Sequence, residues 1–76
     1  MKWQEFIVSD PSILLGKPII KGTRISVELI LDLLENGWTP QQLIEAYPSL
    51  TPDSISAVFS YLKECISHEF YFPFSA

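Results

Sequence analysis

The sequence has little with which to fasten itself covalently or through a metal. Cys65 is its single cysteine, so no disulfide can form within one chain, and a lone thiol fits a reducing compartment. His68 is the single histidine, three residues after Cys65. Two such ligands fall short of the four closed or three open positions of a zinc site, and neither a metal nor a cofactor is expected. Positive charge is also scarce, with five Lys and Arg against nine Asp and Glu and a formal net charge of -4. That balance argues against a non-specific nucleic-acid binder, whose affinity comes mostly from phosphate contacts. No apolar run approaches the roughly 18 residues of a membrane span. The N-terminal MKWQEFIVSD lacks the apolar centre of a signal peptide, so a cytoplasmic protein is expected.

Catalytic signatures are thin as well. The LLGKP stretch has a Gly-Lys step, but the upstream glycine of a phosphate loop is missing and Pro18 stands where Ser or Thr would bind magnesium. Cys65 and His68 have no glycine elbow or third orienting group around them. No paired carboxylates stand apart from ordinary solvated acids. The chain is not expected to be an enzyme.

What is present is a compact store of apolar side chains: 47% of 76 residues are hydrophobic, which makes one globular domain. A chain of this length buries only about 60% of the surface its unfolded form exposes, so self-association is one route to added stability. The few cations are concentrated. Residues 1–24 carry a balance of +2, and residues 25–76 a balance of -6. Three of the five lie in GKPIIKGTRIS, residues 16–26, as Lys17, Lys21 and Arg24. Lysines on a hairpin edge discourage unwanted strand pairing, and they also attract phosphate; both readings are open at this point.

Local signals divide the chain into a β-hairpin region over 1–24, a trihelical core over 26–68 and an aromatic tail over 69–76. Residues 5–8 and 18–21 read as short strands, with a turn at Ser9-Asp10-Pro11 and another at Gly22-Thr23. Ser26 is an N-cap for a helix that stops at Asn36-Gly37. The polar face of that helix is a narrow stripe of Glu28, Asp32 and Glu35, so its leucines need more than one neighbour. Thr39-Pro40-Gln41-Gln42 is a capping box that starts a second, two-turn helix ended by Pro48. Thr51-Pro52-Asp53-Ser54 starts a third. There Ile55, Val58, Phe59, Leu62 and Ile66 fall at helical spacing, which predicts an inward stripe and an outward face of Ser54, Ser56, Ala57, Ser60, Tyr61, Lys63 and Glu64. Trp38 reads as a wedge into the core.

Helix, short helix, turn and longer helix is the order of a three-helix, helix-turn-helix bundle, in which the last helix offers its N-terminal outward face to the major groove. The DNA-binding candidates are then Lys17, Lys21 and Arg24 on phosphates, with Ser54, Ser56 and Ser60 in the groove. A plain three-helix bundle with a solvated serine face is the alternative. In the tail, Phe70, Phe72 and Phe74 alternate, and share a face if the segment is a strand. That strand either pairs with residues 5–8 or docks on a partner. Leu29, Leu33, Phe70, Phe72 and Phe74 are the candidate partner or dimer interface.

Residues 10–62 closely resemble the small bacterial family known as domain of unknown function 433, whose hallmark is a Gly-Lys-Pro-x-x-x-Gly-Thr-Arg segment before an acidic-leucine helix. Residues 16–24 match the hallmark at every defined position, and Asp10-Pro11 and Tyr47-Pro48-x-Leu50 match further elements. The resemblance implies a homeodomain-like helical core with an N-terminal β-hairpin. It also implies antitoxins paired with a PIN-like nuclease toxin, and so binding to operator DNA. In such a hallmark Gly22 would supply a positive φ, Thr23 a cap, and Arg24 a pairing with Asp10 or Glu28. Two functions follow as expectations: a homodimeric DNA-binding antitoxin, or an interaction module that neutralises a partner nuclease without touching DNA.

Overall fold

The computed structural model describes residues 1–68. A 3-10 turn at Trp3–Glu5 leads into β1 (Ile7–Val8), and a second 3-10 turn at Leu14–Gly16 leads into β2 (Ile19–Ile20). Three helices follow: α1 (Val27–Glu35), α2 (Pro40–Ala46) and α3 (Pro52–His68). The protein is therefore mainly helical, with one two-stranded antiparallel hairpin among the described residues.

The strands are shorter than residues 5–8 and 18–21. Ile7 pairs with Ile20 and Val8 with Ile19, all four β-branched. Glu5 belongs instead to the first 3-10 turn, which Phe6 closes by donating its N–H to the Trp3 carbonyl at 2.9 Å. β2 is also tied to the start of α1, through a bridge between Ile19 and Ser26 and a bond from the Val27 N–H to the Pro18 carbonyl at 2.9 Å.

Each helix begins on a side chain that accepts one of the amides left unpaired in a first turn. Ser26 Oγ accepts from the Leu29 N–H at 2.9 Å. Thr39 Oγ1 accepts from the Gln42 N–H at 3.2 Å, while the Gln42 Oε1 accepts from the Thr39 N–H at 2.8 Å, completing the capping box. At the third helix, Thr51 Oγ1 accepts from the Ser54 N–H at 3.1 Å. The core gathers Ile7 and Ile20 from the hairpin, Val27 and Ile30 from α1, Leu43 from α2, Leu50 from the connection, and Ile55, Ala57 and Val58 from α3. Trp38 is not a core wedge: it is 36% exposed, held at the end of α1 by a bond from its N–H to the Leu33 carbonyl. The expected aromatic strand, with Phe70, Phe72 and Phe74, lies outside the described residues.

Candidate interaction surface

The chain between the two strands is built by an unusual backbone run. Leu14, Leu15 and Gly16 are consecutive left-handed residues, with φ of 49°, 57° and 83°. Leucine avoids this region because its Cβ crowds the following carbonyl, yet here Leu15 adopts it with its side chain 96% exposed. The turn aims the chain into Lys17, whose Nζ donates to Glu28 Oε1 on α1 at 2.7 Å. The pairing shifts both groups: the Glu28 carboxylate holds the Lys17 ammonium above its ordinary pKa, and the ammonium holds the Glu28 carboxyl below its own.

The Gly-Thr-Arg step is a hydrogen-bonded corner. Gly22 has φ of 79°, a conformation that an L side chain rarely takes. Thr23 Oγ1 donates to the Ile20 carbonyl at 2.7 Å and accepts from the Ile25 N–H at 3.0 Å, closing the turn from within. Arg24 is exposed and makes no ion-pair contact among the described residues. Its charge still reaches Asp10, whose carboxyl is lowered chiefly by the Ser12 hydroxyl and Ser12 N–H and further by Arg24. Glu28, the other acid expected to meet Arg24, is taken by Lys17.

On α3 the inward stripe is rotated from its expected position. Ser54 and Ala57, expected outward, are buried, at 4% and 0% exposure. Phe59 and Ile66, expected inward, are 50% and 55% exposed. Ile55 and Val58 are buried and Leu62 packs against the core as expected, and the packed face extends from them over Ser54, Ala57, Cys65 and Tyr61, the last also expected outward, because α3 meets the Trp3–Glu5 turn, β1 and α2 along that line. Small side chains at positions 54 and 57 let those elements approach closely. Trp3 seats the helix from the other end of the chain: its ring packs edge-on against Tyr61 with centroids 4.8 Å apart, and its indole N–H donates to Glu64. Burial, and then a hydrogen bond with Cys65, push the Tyr61 hydroxyl above its usual pKa.

Of the DNA-binding candidates, Ser54 is turned into the core and exchanges bonds with Thr51, while Ser56 is exposed and Ser60 half-buried. Lys21 and Arg24 are exposed, and Lys17 is engaged by Glu28. Of the interface candidates, Leu33 is half-buried against the core and Leu29 is half-buried beside it. No group of three His, Cys, Asp or Glu side chains able to hold a metal occurs among the described residues, and no helix there is long and apolar enough to cross a membrane.

Sequence reasoning missed a groove. α1 and α3 leave between them a largely apolar recess of about 330 Å³. Val27, Glu28 and Leu31 line it from α1, Tyr61 and Leu62 from α3, and Lys17 and Pro18 from the hairpin. The exposed Phe59 and Ile66 stand on either side of Leu62 along the same helix. The spacing 54-58-61-65 was a second helical stripe available in the sequence, and it would have freed Phe59 and Ile66 for the surface.

A family model described as "Protein of unknown function (DUF433)" matches residues 7–62. The chain is 33% identical over 60 residues to uncharacterized protein y4eO of Sinorhizobium fredii (strain NBRC 101917 / NGR234). That match covers 79% of this chain and 27% of y4eO, so the chain spans about a quarter of that relative's length. The fold is also similar to the crystal structure of a DUF433 member protein from Anabaena variabilis ATCC 29413, with a TM-score of 0.76 and 30% identity. That similarity covers 80% of this chain and 60% of the other.

Proposed function

The chain belongs to the family of proteins of unknown function DUF433, and from the surface its fold exposes we propose that it is a protein-interaction module of antitoxin type. One observation carries this reading: α3 leaves Phe59 and Ile66 half or more exposed beside an apolar groove, and a contiguous exposed apolar patch marks an interaction site. Aromatic and aliphatic anchors beside a recess are what protein interfaces are built from. The acids Asp32 and Glu35 on α1 add an anionic stripe that complements a basic partner, and a PIN-like nuclease toxin is the partner class that the family resemblance suggests. The test is co-purification with the product of the adjacent reading frame. Phe59→Glu with Ile66→Glu is expected to abolish it while the far-UV circular dichroism of the helices is retained. Undiminished co-purification defeats the reading.

A second reading keeps a specific observation in its favour. Lys21 and Arg24 flank the Gly22 corner in solvent without ion-pair partners among the described residues, and Ser56 stays outward on α3. In that reading α2 and α3 form a homeodomain-like helix-turn-helix, and a homodimer grips operator DNA. With Lys17 held by Glu28, two hairpin cations per chain remain, and each phosphate contact contributes about 0.9 to the slope of log affinity against log salt. Titrating a labelled duplex at several salt concentrations separates the readings. The interaction module shows no binding at low salt, whereas the DNA binder shows a slope of about 1.8 per subunit.

A further inference from the structure

Resting on the reading that the α3 face is a docking surface, we propose that the chain seated directly on that face is a second copy of this one, with the two α3 helices packed antiparallel about a two-fold axis, so that a nuclease partner is captured by the pair and is lost when Phe59→Glu with Ile66→Glu separates it. The argument begins with spacing. Ile55, Phe59, Leu62 and Ile66 are separated by four, three and four residues, the a/d interval of a helix seam, and the pattern reads the same from either end. Reversed on itself it sets Phe59 level with Leu62 of the second copy, and Ile66 level with Ile55. Ile55 is already buried in its own core, so it marks the end of the seam; Phe59 and Ile66 form its open part, with the half-buried Leu62 between them at the groove wall.

Each copy then carries both halves of the contact. Phe59 is the projecting ring, and the groove that Leu62 lines is the recess into which the second copy's ring enters. A surface complementary to itself is what a two-fold interface requires. Charge agrees with this direction. Antiparallel packing sets the amide-rich start of one α3, which bears Asp53, level with the carbonyl-rich end of the other, which bears His68, so opposite helix poles meet. Parallel packing would set like poles together. The flank of the seam is poor in charge, as interface centres are: Ser56, Ser60 and Ser67 lie along it with Lys63, while Glu64 is engaged by Trp3. In this register Lys63 falls level with position 58 of the second copy, between its Ser56 and Ser60, and not against another lysine.

Sedimentation equilibrium of the full chain across the micromolar range tests the proposal, with Phe59→Glu and Ile66→Ala measured beside the wild type. A monomer–dimer equilibrium in the wild type, weakened at least about 10-fold by each substitution in a chain whose circular dichroism is unchanged, is the expected result. As a check that does not depend on those variants folding, spin labels placed at Ser56→Cys and Ser67→Cys in a Cys65→Ser background report inter-subunit distances. Antiparallel packing gives a short distance between the label at 56 on one copy and that at 67 on the other, and long distances for 67 to 67. A wild-type monomer throughout the range overturns the proposal, as does a dimer indifferent to Phe59 or one with a short 67-to-67 distance. If the wild type is monomeric yet Phe59→Glu with Ile66→Glu still abolishes co-purification, the docking surface stands and its occupant is a different protein. If neither association nor co-purification responds, the docking surface itself falls.

Discussion

Leu15 holds a left-handed backbone conformation with its side chain almost wholly in water, so no burial offsets the steric cost of about 1–2 kcal/mol that an ordinary L residue bears there. Asparagine tolerates that region. Leu15→Asn is therefore expected to raise stability by roughly 0.5–1 kcal/mol, read as a higher urea midpoint at unchanged slope. An unchanged or lower midpoint would show that the leucine contributes something to the folded chain that its exposure conceals. The neighbouring cations illustrate how far residue identity alone can be read. Lys17, Lys21 and Arg24 form one basic patch in the sequence, but in space they separate by partner: Lys17 belongs to Glu28, Arg24 acts on Asp10 from a distance, and Lys21 stays in solvent. Which of three similar charges finds an acid depends on where a helix eleven residues later is aimed, and composition carries no record of that.

At the scale of elements, the helix starts were legible because their causes are local. A hydroxyl three residues ahead of an unpaired amide is visible in the chain itself, and Ser26, Thr39 and Thr51 all cap as their sequence positions predict. Thr51→Ala is expected to cost about 1 kcal/mol in chemical denaturation, with the loss greater than for a change at exposed Ser56. Equal, negligible effects at the two sites would remove Thr51 from the cap. The rotation of α3 was not legible for a physical reason. Its sequence supports two overlapping stripes, the expected one through 55, 58, 59, 62 and 66 and one through 54, 58, 61 and 65, and both satisfy helical periodicity. The choice between them is made by shape. Trp3 needs Tyr61 and Glu64 within reach, and the closely packed turn, strand and α2 need small residues at 54 and 57. Hydrophobicity counts favoured the bulkier stripe; packing keeps its Ile55, Val58 and Leu62 and turns the rest of the buried face toward 54, 57, 61 and 65. That same choice leaves Phe59 and Ile66 outside, which is why the groove could not be anticipated from periodicity.

Across the whole molecule, the core draws at least one side chain from every strand-bearing and helical segment and rests on few fully enclosed residues. Domains of this length are stable by roughly 4–11 kcal/mol. Leu43, the fully buried contribution of α2, meets α1 and α3 through that short helix. Leu43→Ala is expected to remove about 2–5 kcal/mol, a large part of the total, and to lower the thermal midpoint in a scan by far more than Leu31→Ala at the half-buried groove wall. Similar losses at both positions would mean that the groove is part of the folded core and not a recess left open for a visitor.

The bond between the Trp3 indole and Glu64 joins residues 61 apart in the chain. The three helices draw on neighbours close in sequence, whereas this clasp closes a loop almost as long as the described chain, and an unfolded chain meets itself across such a span late and rarely. Trp3 therefore governs how long the assembled state lasts far more than how quickly it is reached.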